Sequence, residues 1–215
     1  MGKLLLMGTM MVMATNAFAQ DSREKPDGRV SIEISAGVVG DYDDSGLWES
    51  GYTASATGLW WASESVHLAV GLGLTHWSYR PDDVVQDLVP SGATLLIEQS
   101  TGQLEIVDLV PSVRWERNEV LPMRLGFFLQ GGAGVAYVKT FALSEVQYET
   151  GAGPPTDADF EINESDVQLE GLAAIGFTRP VSTGSWFELF SSYRAIATDE
   201  TVNVFAVSFG FRVQI

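Results

Sequence analysis

His76-Trp77-Ser78 is the stretch of this chain that comes nearest to a nucleophile beside its base. Residues two apart on an extended strand share a face, so the imidazole and the hydroxyl would stand next to each other. A carboxylate that orients the imidazole would complete the set; Glu98 or Glu105 could serve, and the sequence fixes neither. Asp41-Tyr42-Asp43-Asp44-Ser45-Gly46 offers different chemistry, the oxygen ligands and glycine that begin a calcium loop. Such a loop ends on a bidentate glutamate, and the corresponding position here is Tyr52. A third set is ionic: the acids Glu33, Asp108, Glu170 and Glu188 and the bases Arg114, Arg124, Arg194 and Arg212. Each sits at a polar position of an alternating segment, so all eight are expected on one side of a sheet. Cysteine is absent and there are two histidines, which removes thiolate metal sites and His-rich centres. No P-loop or GxGxxG signature occurs, so no cofactor and no metal is expected.

The elements that would hold these groups are strands. Residues 201–215 read TVNVFAVSFGFRVQI, with Phe205, Val207, Phe209, Phe211, Val213 and Ile215 on one face and Ala206, Ser208, Gly210, Arg212 and Gln214 on the other. Seven earlier segments alternate in the same way, near residues 29–39, 48–62, 66–79, 103–116, 123–140, 165–178 and 185–197. Each has the length of a tilted barrel strand. Pro111 lies inside the fourth, where it removes a ladder donor and calls for a bulge. The connections after the second, fourth and sixth segments are short, whereas residues 80–102 and 141–164 read as long loops. Trp60, Trp61, Trp115 and Trp186 gather beside the short turns, and Trp77, Tyr137 and Tyr193 lie towards the opposite ends. Two aromatic belts of this kind suit two membrane interfaces.

The expected fold is therefore all-β, an eight-stranded antiparallel up-and-down transmembrane β-barrel over residues 29–215. Its apolar face meets lipid, and its charged residues fill the lumen as ion pairs. Lys3, the apolar stretch Leu4–Met13 and Ala17-Phe18-Ala19 read as a signal peptide over 1–19, and residues 20–28 as a flexible lead-in. No later apolar run is long enough for a membrane helix. A net charge of −16 argues against a nucleic-acid partner.

With the signal segment, eight strands, loop order and the ending Gly210-Phe211-Arg212-Val213-Gln214-Ile215, the chain resembles the small outer-membrane β-barrel families of the OmpA transmembrane domain, OmpX and the opacity proteins. In those families the last residue is usually aromatic; here it is Ile215. The resemblance implies location in the cell outer membrane of a Gram-negative envelope. It implies insertion by the barrel-assembly machinery through the C-terminal strand, contact with lipid and lipopolysaccharide, and a structural or surface-interaction role for a monomer. The acidic residues Asp82, Asp83, Asp87, Glu145, Glu149, Asp157, Asp159 and Glu161 would meet any surface ligand, or bridge to lipopolysaccharide phosphates through divalent cations. His76 and Ser78 have the spacing of the His-x-Ser motif of the lipid A deacylases, which are also barrels, although Tyr79 stands where that family has Asn. A lipid-modifying enzyme, a small-solute channel and a soluble barrel with an apolar ligand are the alternatives.

Overall fold

A computed structural model describes residues 30–40, 47–121, 125–151, 153–198 and 202–215. The signal segment, the lead-in, the Asp41–Gly46 stretch and Arg124 lie outside them. Eight antiparallel strands close on themselves in sequence order, β1 Val30–Val39, β2 Gly51–Trp61, β3 Val66–Ser78, β4 Thr94–Leu121, β5 Leu125–Glu149, β6 Thr156–Ser182, β7 Ser185–Ile196 and β8 Val202–Gln214. β8 pairs with β1, so the ring has no open edge at its waist.

Alternation decides which side faces out. On β1, Ile34 is 65% exposed and its neighbours Glu33 and Ser35 are buried. The same step places Leu72, Leu109, Val135, Leu169 and Phe209 on the outer wall. Adjacent strands keep these residues in register: Ala56 opposes Leu72, Leu72 opposes Leu109, Leu109 opposes Val135 and Val135 opposes Leu169. The result is a continuous apolar ring around the barrel.

Three expectations change. Pro111 brings no bulge: β4–β5 pairing skips Val110 and Pro111 and resumes in the same register at Ser112 and Gly132. Residues 80–102 are not a simple loop, because a short helix, α1 Asp82–Leu88, fills part of them and β4 begins at Thr94. Residues 141–164 are mostly strand, with β5 and β6 running on as a ribbon to a connection at 150–155. The period of two persists there while the apolar phase reverses. Ala142, Val146, Phe160 and Ile162 turn inward, whereas Glu145, Asp157, Asp159 and Glu161 turn outward. A sheet with water outside follows that rule, and a sheet with hydrocarbon outside follows the opposite one.

Candidate functional site: buried ion pairs behind an apolar wall

The lumen is built in layers. Nearest the short turns, two buried arginines hold three buried glutamates. Arg114, on β4, donates from Nη1 to Glu33 Oε2 at 2.7 Å and grips Glu188 with both Nη atoms at 2.9 and 2.8 Å. Its Nη2 lies 3.2 Å from Glu116 Oε2. Arg212, on β8, takes Glu116 in a two-pronged fork, 2.7 Å on each arm, and its Nε sits 3.1 Å from Glu188 Oε1. Planar guanidinium groups suit such forks, since two parallel donors match two carboxylate oxygens. Aromatic rings close the remaining faces: Arg114 Cζ stands 3.6 Å from the Phe128 ring centroid and Arg212 Cζ stands 4.6 Å from that of Trp186. His67 comes within 3.8 Å of Glu116 and meets Trp61 edge-on.

Above this cluster lies a cavity of about 80 Å³, edged by Ser35, Ser55, Thr57 and Ser208. Beyond it Arg194 donates to Asp108 Oδ2 at 2.6 Å and to Thr75, and its Nε is 3.7 Å from Glu170. The top layer is apolar. Trp48, Trp77, Tyr79, Leu104, Ile106, Ile196 and Val204 pack together, with Val84 of α1 lying over them. The Trp77 indole donates to the Gly40 carbonyl at 2.8 Å, and the Tyr79 hydroxyl and Ser144 Oγ are 2.8 Å apart.

Of the ionic set read from the sequence, Glu33, Arg114, Glu188 and Arg212 come together in the first cluster, and Asp108, Glu170 and Arg194 in the second. Glu116 and His67 complete the first cluster and were not in that set, although Glu116 continues the inward step through Asp108, Ser112 and Arg114. The apolar top layer was not anticipated either.

The belt needs correction. Trp60, Trp115, Tyr137 and Tyr193 share the outward phase of their strands. Trp61, Trp77 and Trp186 face the lumen. Each is one residue away from an outward position, Trp60, His76 and Phe187 respectively, and a strand cannot send adjacent side chains to one side. Trp77 is fully buried, Trp61 donates to Ser31 Oγ, and Trp186 lies against Arg212.

His76 does face outward, and so does Ser78. A single lateral row runs Tyr52, His76, Glu105, Lys139 across four strands. His76 Nδ1 is 3.8 Å from Glu105, and its ring stacks on Tyr52 at 5.0 Å. Among the described residues, no group of three or more His, Asp and Glu is arranged to hold a metal ion.

No protein-family model matches the sequence, and no curated protein matches it. Solved structures resemble the fold. Neisserial surface protein A is 12% identical, with a TM-score of 0.49, over 88% of this chain and 99% of its own. Ail, the attachment invasion locus protein of Yersinia pestis, seen with the heparin analogue sucrose octasulfate, is 14% identical with a TM-score of 0.49 over 87% and 99%. The outer-membrane protein OprG of Pseudomonas aeruginosa is 13% identical with a TM-score of 0.45 over 88% and 97%. On its own geometry, eight strands closed into a ring, apolar on the outer wall and ionic within, the chain has the architecture of a small outer-membrane β-barrel.

Proposed function

We propose that this chain is a monomeric integral protein of the outer membrane, with a closed lumen and a structural or surface-interaction role exercised through its ribbon and long-side connections. The observation that carries this reading is the inversion of the barrel wall. Phe209, Leu169 and Ile34 are among its most exposed residues, while Arg114 and Arg212 are fully buried. In water that arrangement is doubly unfavourable, and in hydrocarbon it is the stable one. Two ionic layers and an apolar layer cross the lumen, with a cavity of only about 80 Å³ between the ionic ones, which supports a scaffold rather than a pore. Lipid and lipopolysaccharide surround the wall, and the apolar alternation of β8 suits it as the strand read by the assembly machinery.

Electrophoresis and bilayer recording test the two halves separately. The folded protein in detergent should migrate faster before boiling than after, and it should give no steady open-channel current in a planar bilayer. Equal mobility would remove the membrane barrel, while large steady currents would remove only the closed lumen.

A second reading is hydrolysis of a lipid ester by Ser78. It is favoured by the Glu105–His76 pair on the outer wall, two residues from that hydroxyl at the level where the wall turns polar. A carboxylate beside an imidazole is the orienting half of a serine-hydrolase triad. Mass spectrometry of lipid A from cells with the wild type and with Ser78→Ala decides it. An acyl chain lost only with the wild type supports the hydrolase, and identical spectra end it.

A further inference from the structure

Above the barrel the sheet opens along β6. β7 stops at Ile196, opposite Glu170, and the Ala197 amide gives the last bond on that side, to the Leu169 carbonyl at 2.8 Å. Beyond that row β6 keeps its pairing with β5 but has no strand on its other side among the described residues. The free stretch is 157–167, roughly 35 Å at 3.3 Å per residue. Backbone groups of alternate residues point to the same side of a strand. Those of Val167, Ser165, Asn163, Glu161, Asp159 and Asp157 therefore follow Leu169 and face away from β5. Among the described residues, the one amide of these six with a partner is that of Val167, which donates to the neighbouring Asp166 Oδ1 at 2.7 Å. Proteins commonly blunt such an edge with a bulge, a proline or a lysine. β4, the other free edge of the ribbon, has a bulge near its start, between Leu95 and Ile97. β6 has none: its register with β5 is unbroken from Thr156 to Thr178, and residues 156–168 contain neither proline nor lysine. They do contain five acids and no base. Asp157, Asp159 and Glu161 stand exposed on the outer face, Glu164 and Asp166 are exposed on the other, and Glu145 lies opposite Asp159. A second copy of this edge would bring five more acids and no base. The backbone suits another strand, and the side chains suit cations.

We propose that the free edge of β6 takes up an extended basic peptide segment as an added antiparallel strand, with lysine or arginine at alternate positions against Asp157, Asp159 and Glu161. Side chains directly opposite on neighbouring strands have Cβ atoms about 5 Å apart, so a base at every second position meets an acid each time. Main-chain bonds along the edge hold the segment, and the acids select it. The proposal rests on the reading of the ribbon as the end of the barrel that faces the medium, and it names the partner that surface would take.

The probe is a dye-labelled synthetic peptide of alternating threonine and lysine, about eleven residues long to match the edge. Fluorescence anisotropy follows its binding to the folded full-length barrel in non-ionic detergent micelles. It should bind with a dissociation constant below about 1 mM, and the same peptide with glutamate for lysine should not bind. Methylating the backbone nitrogens of the lysines removes strand donors and keeps every charge, and should weaken binding by about tenfold or more. Asp159→Asn together with Glu161→Gln should weaken it about threefold per charge removed. Asn163→Pro takes a donor from the free edge alone, since that amide faces away from β5; it should keep the folded migration in a gel and lose the peptide. In the complex the amides of Asp159, Glu161 and Asn163 should exchange with deuterium more slowly, and those of Phe160 and Ile162, already turned to β5, should not change. No binding of the lysine peptide at about 1 mM would overturn the proposal and make the acids a guard against every strand. Equal binding of the methylated peptide would overturn it too, because charge alone would then suffice. If a variant fails to fold, the peptide series on the wild type still decides. None of these results bears on the migration and current measurements that test the membrane barrel itself.

Discussion

Arg114 shows how a residue that is expensive to bury becomes indispensable once buried. It meets Glu33, Glu116 and Glu188, and its guanidinium is capped by Phe128. Removing it leaves three buried carboxylates to Arg212 alone. Arg114→Met should therefore cost about 3–5 kcal/mol, the range for stranding a buried charge. Urea unfolding of the barrel in lipid vesicles measures it. Arg114→Lys should recover only part of the loss, because a point charge cannot fork onto Glu188 while also reaching Glu33. A lysine variant as stable as the wild type would show that net charge, not geometry, holds the cluster. The participants on the inward phase were legible in the sequence by counting in twos. Their pairing was not, since which arginine reaches which acid depends on strand stagger around a ring. Trp61, Trp77 and Trp186 were misread for a related reason: proximity to a strand end says nothing about face.

At the scale of the strand, the informative feature is the change of phase along β5 and β6. From Leu129 to Tyr137 the large residues point out, and from Ala142 to Val146 the buried ones point in. The solvent outside the sheet changes between those segments, which places the outer membrane boundary near the row of Tyr52, His76, Glu105 and Lys139. Two arginine substitutions separate the zones. Leu72→Arg, in the middle of the apolar ring, should cost about 2–4 kcal/mol in vesicles. Leu143→Arg, on the outer face of the ribbon opposite Glu161, should stay within about 0.5 kcal/mol of the wild type. Equal costs would mean that no such boundary exists. This phase change also explains the limits of the sequence reading. Strands with grease on the lipid side stood out over residues 29–39, 66–79 and 201–215, so the number of strands and their order were accessible. The same strands beyond the membrane carry acids outward and read as loop, so β4, β5 and β6 were cut short and α1 was hidden among acids.

Seen whole, the barrel is lopsided. One rim carries tight connections, at 62–65 and at Thr183-Gly184, where Gly184 adopts φ +77°. The other rim carries α1, the apolar lid and the ribbon, which continues from Lys139 to Glu149, roughly 30 Å of strand at 3.3 Å per residue. Val30 and Ile215 both lie at the tight rim, linked by a backbone hydrogen bond. Outer-membrane barrels set short turns in the periplasm and long connections outside, so the ribbon should face the medium. The chain has no cysteine, which makes the orientation readable without background. Gly153→Cys, in the exposed connection beyond the ribbon, should react with a membrane-impermeant maleimide on intact cells. Thr183→Cys, at the tight rim, should react only after the outer membrane is permeabilised. The reverse pattern would invert the barrel. Two residues that both wait for permeabilisation would put the whole chain in the periplasm, where an apolar wall would need protein rather than lipid to cover it.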